Sequence, residues 1–67
     1  MSTINELATI AAKANNIDHS TAQDALTIYL QQVNQIDQAN HSADSVPNDV
    51  AEFLLESVTH ARRAGDI

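Results

Sequence analysis

The chain has 67 residues, no cysteine, nine acidic side chains and three basic ones, for a formal charge of −6. A chain of that size holds one domain at most, and without cysteine neither a disulfide nor a thiolate metal site can staple it. Lys13, Arg62 and Arg63 are the only bases, too few for the basic footprint that neutralises phosphates or draws a protein to an anionic bilayer.

Helical spacing begins at once. Thr3 with Glu6 three residues on has the form of a capping box. Ile4, Leu7, Ala11 and Ala14 then recur at helical intervals, widened by Ala8 and Ile10. Asn15-Asn16 supplies the left-handed stop. The spacing predicts a first helix over about residues 3–14, followed by a turn in which Ile17 tucks under the hairpin.

Asp18 or Ser20 caps the second helix in this reading, with Ser20 and Gln23 as a second capping box. Ala22, Leu26, Tyr29, Val33 and Ile36 follow at intervals of 4, 3, 4 and 3, a heptad-like seam. The helix is expected over residues 19–38. Residues 39–46 carry short polar side chains without periodicity and read as a loop.

Ser45 is the expected cap of the third helix, Val46 its staple and Pro47 part of its first turn. Val50, Phe53, Leu54, Val58 and Ala61 form the expected inward stripe. Asp49, Glu52 and Glu56 come early and Arg62-Arg63 late, as the helix dipole favours, and Gly65 stops the helix. This helix is expected over residues 47–64. The expected fold is all-α, a small three-helix bundle made of a helical hairpin plus a C-terminal helix, with residues 1–67 as a single domain.

No apolar run approaches the ~20 residues of a membrane span. The start, from Met1 to Glu6, lacks the basic and apolar regions of a signal peptide. The expected location is the cytoplasm.

Few residues point to chemistry. A zinc site needs three or four converging ligands, whereas His19, His41 and His60 are scattered; His60 has a carboxylate, Glu56, one turn earlier, and one such pair does not make a site. Ser20 beside His19 is an adjacent nucleophile–base pair, and sequence neighbours on a helix do not face each other. Glu52 and Glu56 form an i, i+4 carboxylate pair of the kind that stays solvated. No metal ligand, catalytic residue or cofactor is assigned, and the chain is expected to be non-enzymatic.

The segment from Ile17 to Leu26 resembles the turn and second helix of helix-turn-helix DNA-binding domains. That resemblance implies Ser20, Thr21 and Gln23 as the base-reading side chains. Asp18 and Asp24 would then face phosphates with no base beside them, so a capped helical hairpin is the preferred reading. Glu6-Leu7, Ala12, Ile17, Ala22, Ala25-Leu26 and Tyr29 also resemble the N-terminal helical hairpin of the histone-like HU/IHF family. In that family the hairpin is a dimerisation base, which implies a possible homodimer. The family's basic β-arms have no counterpart in residues 40–67, so no DNA-contacting residue carries over.

Three large apolar residues, Ile28, Leu30 and Leu55, fall off the expected inward stripes. They are the candidate interface if left exposed, because an exposed apolar patch rimmed by polar residues marks a contact site, and ordinary core or isolated surface residues if covered. The leading expectation is therefore a protein–protein interaction or regulatory module whose partner is another protein or a second copy. A helix-turn-helix regulator is the alternative, and an acidic inhibitor of a basic protein is a further one.

Overall fold

The computed structural model describes residues 1–38 and 40–67; Ala39, the first residue of the expected loop, lies outside the described residues. The order is α1 (Ile4–Asn15), α2 (His19–Ile36) and α3 (Asn48–Ala64). Each helix touches both of the others, giving the small all-α three-helix bundle expected from the spacing. There is no strand among the described residues, only isolated antiparallel bridges.

Local chemistry sets most boundaries. Thr3 has extended backbone angles, and its hydroxyl accepts a hydrogen bond from the Glu6 N–H at 3.1 Å, satisfying one of the orphan donors at the start of α1. At the other end Asn16 takes the left-handed conformation, with φ 53°. The Ile17 N–H then returns to the Ala12 carbonyl at 3.1 Å, the long bond of a Schellman turn. Gly65, at φ 82°, closes α3 in the same way, and the Asp66 N–H donates to the Ala61 carbonyl at 2.8 Å.

The starts of α2 and α3 differ from expectation. Asp18 and Pro47 hold the capping positions, and neither contributes a side-chain cap. Ser20 already lies inside α2. The Ser45 N–H is engaged in a tight turn with the Ser42 carbonyl at 3.1 Å, so Ser45 stands two residues before the cap position.

The segment before α3 is aperiodic but tied down. Ser2 and Val46 exchange both backbone hydrogen bonds, at 3.0 and 2.8 Å, and the Ile4 N–H donates to the Ala43 carbonyl at 2.7 Å. The Asn34 side-chain amide grips the His41 backbone from both sides: it accepts from the His41 N–H and donates to its carbonyl, each at 2.9 Å. Val46 is thereby driven fully into the core.

That core takes Ile4, Leu7, Ala8 and Ala11 from α1, Ala22, Ala25, Leu26 and Leu30 from α2, and Val50, Ala51, Leu54, Val58 and Ala61 from α3. Alanines supply many of these positions, so the helices approach closely around a few large side chains. The expected faces of α2 and α3 are corrected at three residues. Leu30, a candidate for either interface or core, is 5% exposed and belongs to the core. The buried row on α2 runs Ala22, Leu26, Leu30, at intervals of four, and this row rotates away from the expected seam toward Asn34 and the loop it holds. In consequence Ile36, expected inside, is 87% exposed, and on α3 Phe53, also expected inside, is 52% exposed.

Candidate interaction surface

The α2 side chains rotated out of the core meet the edge of α3. Tyr29 and Val33 are half-buried against the core, while Ile36 and Phe53 stand beyond them. An open groove runs between Val33, Ile36 and Asp37 of the α2 end and Asp49, Val50 and Phe53 of α3. Phe53 also borders a second depression with Tyr29, Glu56, Ser57 and His60. Tyr29 in turn borders a third, where Ile28 meets Ala25 and the C-terminal Ile67. Shared walls join the three into one apolar strip along the α2/α3 face.

Its rim is acidic. Asp37 and Asp49 flank the first groove, Glu56 the second, and Asp24 and Asp66 the third. Five of the nine carboxylates thus border the strip, and neither lysine nor arginine lines any of these three grooves. The bases lie elsewhere, Lys13 in the last turn of α1 and Arg62 and Arg63 in the last turn of α3. The Asn15 side chain, two residues after Lys13, donates to the Thr59 hydroxyl, one turn before Arg62 and Arg63, at 3.3 Å and ties the two helix ends together.

The expected interface residues separate. Ile28 lies on the strip with 53% exposure. Leu55 is half-buried, packs against the core, and lines a further depression with Glu56, Thr59, His60 and Arg63, which adjoins the second groove through Glu56 and His60. Leu30 is internal. The strip's larger members, Ile36 and Phe53, escaped sequence reasoning because their spacing matches an inward stripe. Nothing in that spacing reveals that α3 covers only part of it.

Of the residues considered as DNA readers, Ser20 and Gln23 are exposed and Thr21 is half-buried beside Asp24 on the third groove. Asp18 and Asp24 flank them, both exposed. The histidines stay apart: His19 Nε2 lies 3.4 Å from the Asn5 carbonyl, His60 lines the second groove, and His41 sits under the loop. His41 Nε2 is out of solvent and 3.6 Å from an Asp37 carboxylate oxygen, an ion-pair distance too long for a hydrogen bond. Among the described residues no three metal-ligating side chains converge, and no helix is long and apolar enough to cross a membrane. Comparison with known protein families, with curated proteins and with solved structures yields no match to this chain.

Proposed function

We propose that this chain is a non-enzymatic protein–protein interaction or regulatory module whose contact surface is the α2/α3 strip. One observation carries the reading. In a chain with so few large apolar residues, Ile28, Ile36 and Phe53 are left at the surface, contiguous through Tyr29 and Val33. Scattered exposed apolar residues need no explanation, whereas a connected set rimmed by polar groups marks an interface. The strip also lies on helices held by the core, so little ordering cost attaches to binding there.

Another protein suits this surface better than a second copy. A two-fold homodimer would bring the same patch against itself, placing the carboxylate rims face to face. Like-charge juxtaposition opposes that arrangement. The DNA-binding alternative meets the same obstacle, since Ser20, Thr21 and Gln23 lie between Asp18 and Asp24.

Size-exclusion of native extract, with the chain followed by antibody, tests the proposal. The endogenous chain is expected in an assembly larger than the purified protein. The Ile36→Ser/Phe53→Ser variant is expected at the position of the free chain. An endogenous chain that elutes as the free 7.2 kDa protein would contradict the reading.

A further inference from the structure

Resting on the interaction-module reading, the shape and charge of the strip narrow its occupant. We infer that it receives a basic amphipathic helix of another protein. The apolar stripe of that helix lies against Val33, Ile36 and Phe53, and its lysine or arginine side chains reach Asp49 and Glu56.

Dimensions come first. From Tyr29 to Ile36 the α2 wall that faces α3 covers about 10 Å, two turns at 1.5 Å per residue, and Ala25 and Ile28 extend the strip against Asp66 and Ile67 beyond the end of α3. The opposite wall is α3 from Asp49 to His60. A strip about three turns long, two of them walled by both helices, matches an amphipathic helix with anchors at i, i+3 or i+4 and i+7. It does not match an extended strand, which needs a free sheet edge to pair with, and no strand occurs among the described residues.

Charge comes second. The carboxylates alternate along both sides of the trough, with Asp24 and Asp66 at one end, Glu56 in the middle, and Asp37 and Asp49 at the other. No lysine or arginine lines these three grooves, and the nearest, Arg63, shares the adjoining depression with Glu56 and His60. An anionic bilayer or a nucleic acid is repelled by this rim. An apolar helix with lysine or arginine along its flanks is attracted to the rim and buries the strip at the same time. The remaining occupant to weigh is a second copy joined head to tail, with its Lys13, Arg62 and Arg63 end on the rim. Ile10 and Ala14, exposed beside Lys13, offer that end little apolar surface.

The probe is a synthetic four-turn Leu/Lys helix with leucines at i, i+3, i+4 and i+7. Two peptides accompany it, one with glutamate for every lysine and one of the same composition in scrambled order. Binding is read by calorimetry, and its location by amide chemical shifts of the labelled protein. The Leu/Lys helix is expected to bind with micromolar Kd, and shifts concentrate at Ile28, Tyr29, Val33, Ile36 and Phe53. Added salt is expected to weaken it. Phe53→Ser and Asp49→Asn/Glu56→Gln should each reduce affinity by about tenfold, near 1.4 kcal/mol.

Equal binding of the Leu/Lys and Leu/Glu helices at the strip would overturn the basic occupant and leave the interaction surface standing. Equal binding of the helix and its scrambled form, with shifts spread over all acidic positions, would overturn helix docking. Absence of strip shifts with every peptide would overturn this inference, while the native assembly measured above decides the broader reading separately. A solution mass that rises with concentration and falls back in Arg62→Glu/Arg63→Glu would replace the foreign helix with a second copy.

Discussion

Thr3, Asn16 and Asn34 each do structural work that a polar surface residue does not ordinarily do. The Thr3 hydroxyl satisfies the Glu6 N–H, so Thr3→Ala is expected to cost about 1 kcal/mol, read as a lower denaturant midpoint with an unchanged slope. Asn16 holds a left-handed backbone. Asn16→Gly should leave stability nearly unchanged and Asn16→Val should lower it by about 1–2 kcal/mol. Asn34 holds both backbone groups of His41, and Asn34→Ala leaves them unpaired at a cost of about 1–3 kcal/mol. The same variant should speed hydrogen exchange at the His41 amide. Thr3 and Asn16 were legible in the sequence because capping is local chemistry, fixed by residues three or four positions apart. Asn34 was not. It sits among Gln31, Gln32 and Gln35 in an ordinary polar run, and only the folded loop shows that it reaches seven residues ahead.

The three helices follow directly from apolar spacing, and their ends from Asn16 and Gly65. The faces of those helices were less legible. Ala22, Leu26 and Tyr29 define a seam, but one turn later the sequence offers both Leu30 and Val33-Ile36 as its continuation. The fold takes Leu30 inward, because the row at intervals of four is the one that meets the rest of the core. Spacing establishes that a face is apolar; it does not say what covers it. Adjacent residues of α3 make the point measurable. Leu54 is fully buried and Phe53 stands half outside. Leu54→Ala is expected to cost about 2–5 kcal/mol, a large share of the roughly 3–10 kcal/mol that 0.05–0.15 kcal/mol per residue allows this chain. Phe53→Ser should cost under about 1 kcal/mol, as a substitution outside the packed interior does. Chemical denaturation of the two variants side by side checks the ordering.

At the scale of the whole molecule, acidic and basic side chains are unevenly distributed. The bases occupy the last turns of α1 and α3, and the α2/α3 face carries the apolar strip with its carboxylates. Composition exposed the acidic balance but not this arrangement, since Asp24, Asp37, Asp49, Glu56 and Asp66 are scattered along the chain and gather only when the helices dock. A surface of this kind should keep the purified protein monomeric. Light scattering across a concentration series is expected to give one chain's mass throughout, with association appearing only when salt screens the rims.

The proposed function turns on what touches Phe53 in the cell, and site-specific photo-crosslinking reads that directly. A benzophenone amino acid in place of Phe53 is introduced in cells that make the protein, with Thr9, exposed on α1, as the control position. The proposed surface predicts a discrete adduct of one foreign protein from position 53 and none from position 9. No adduct at position 53, or the same adducts from both positions, would contradict the assignment of the α2/α3 strip as an interaction surface.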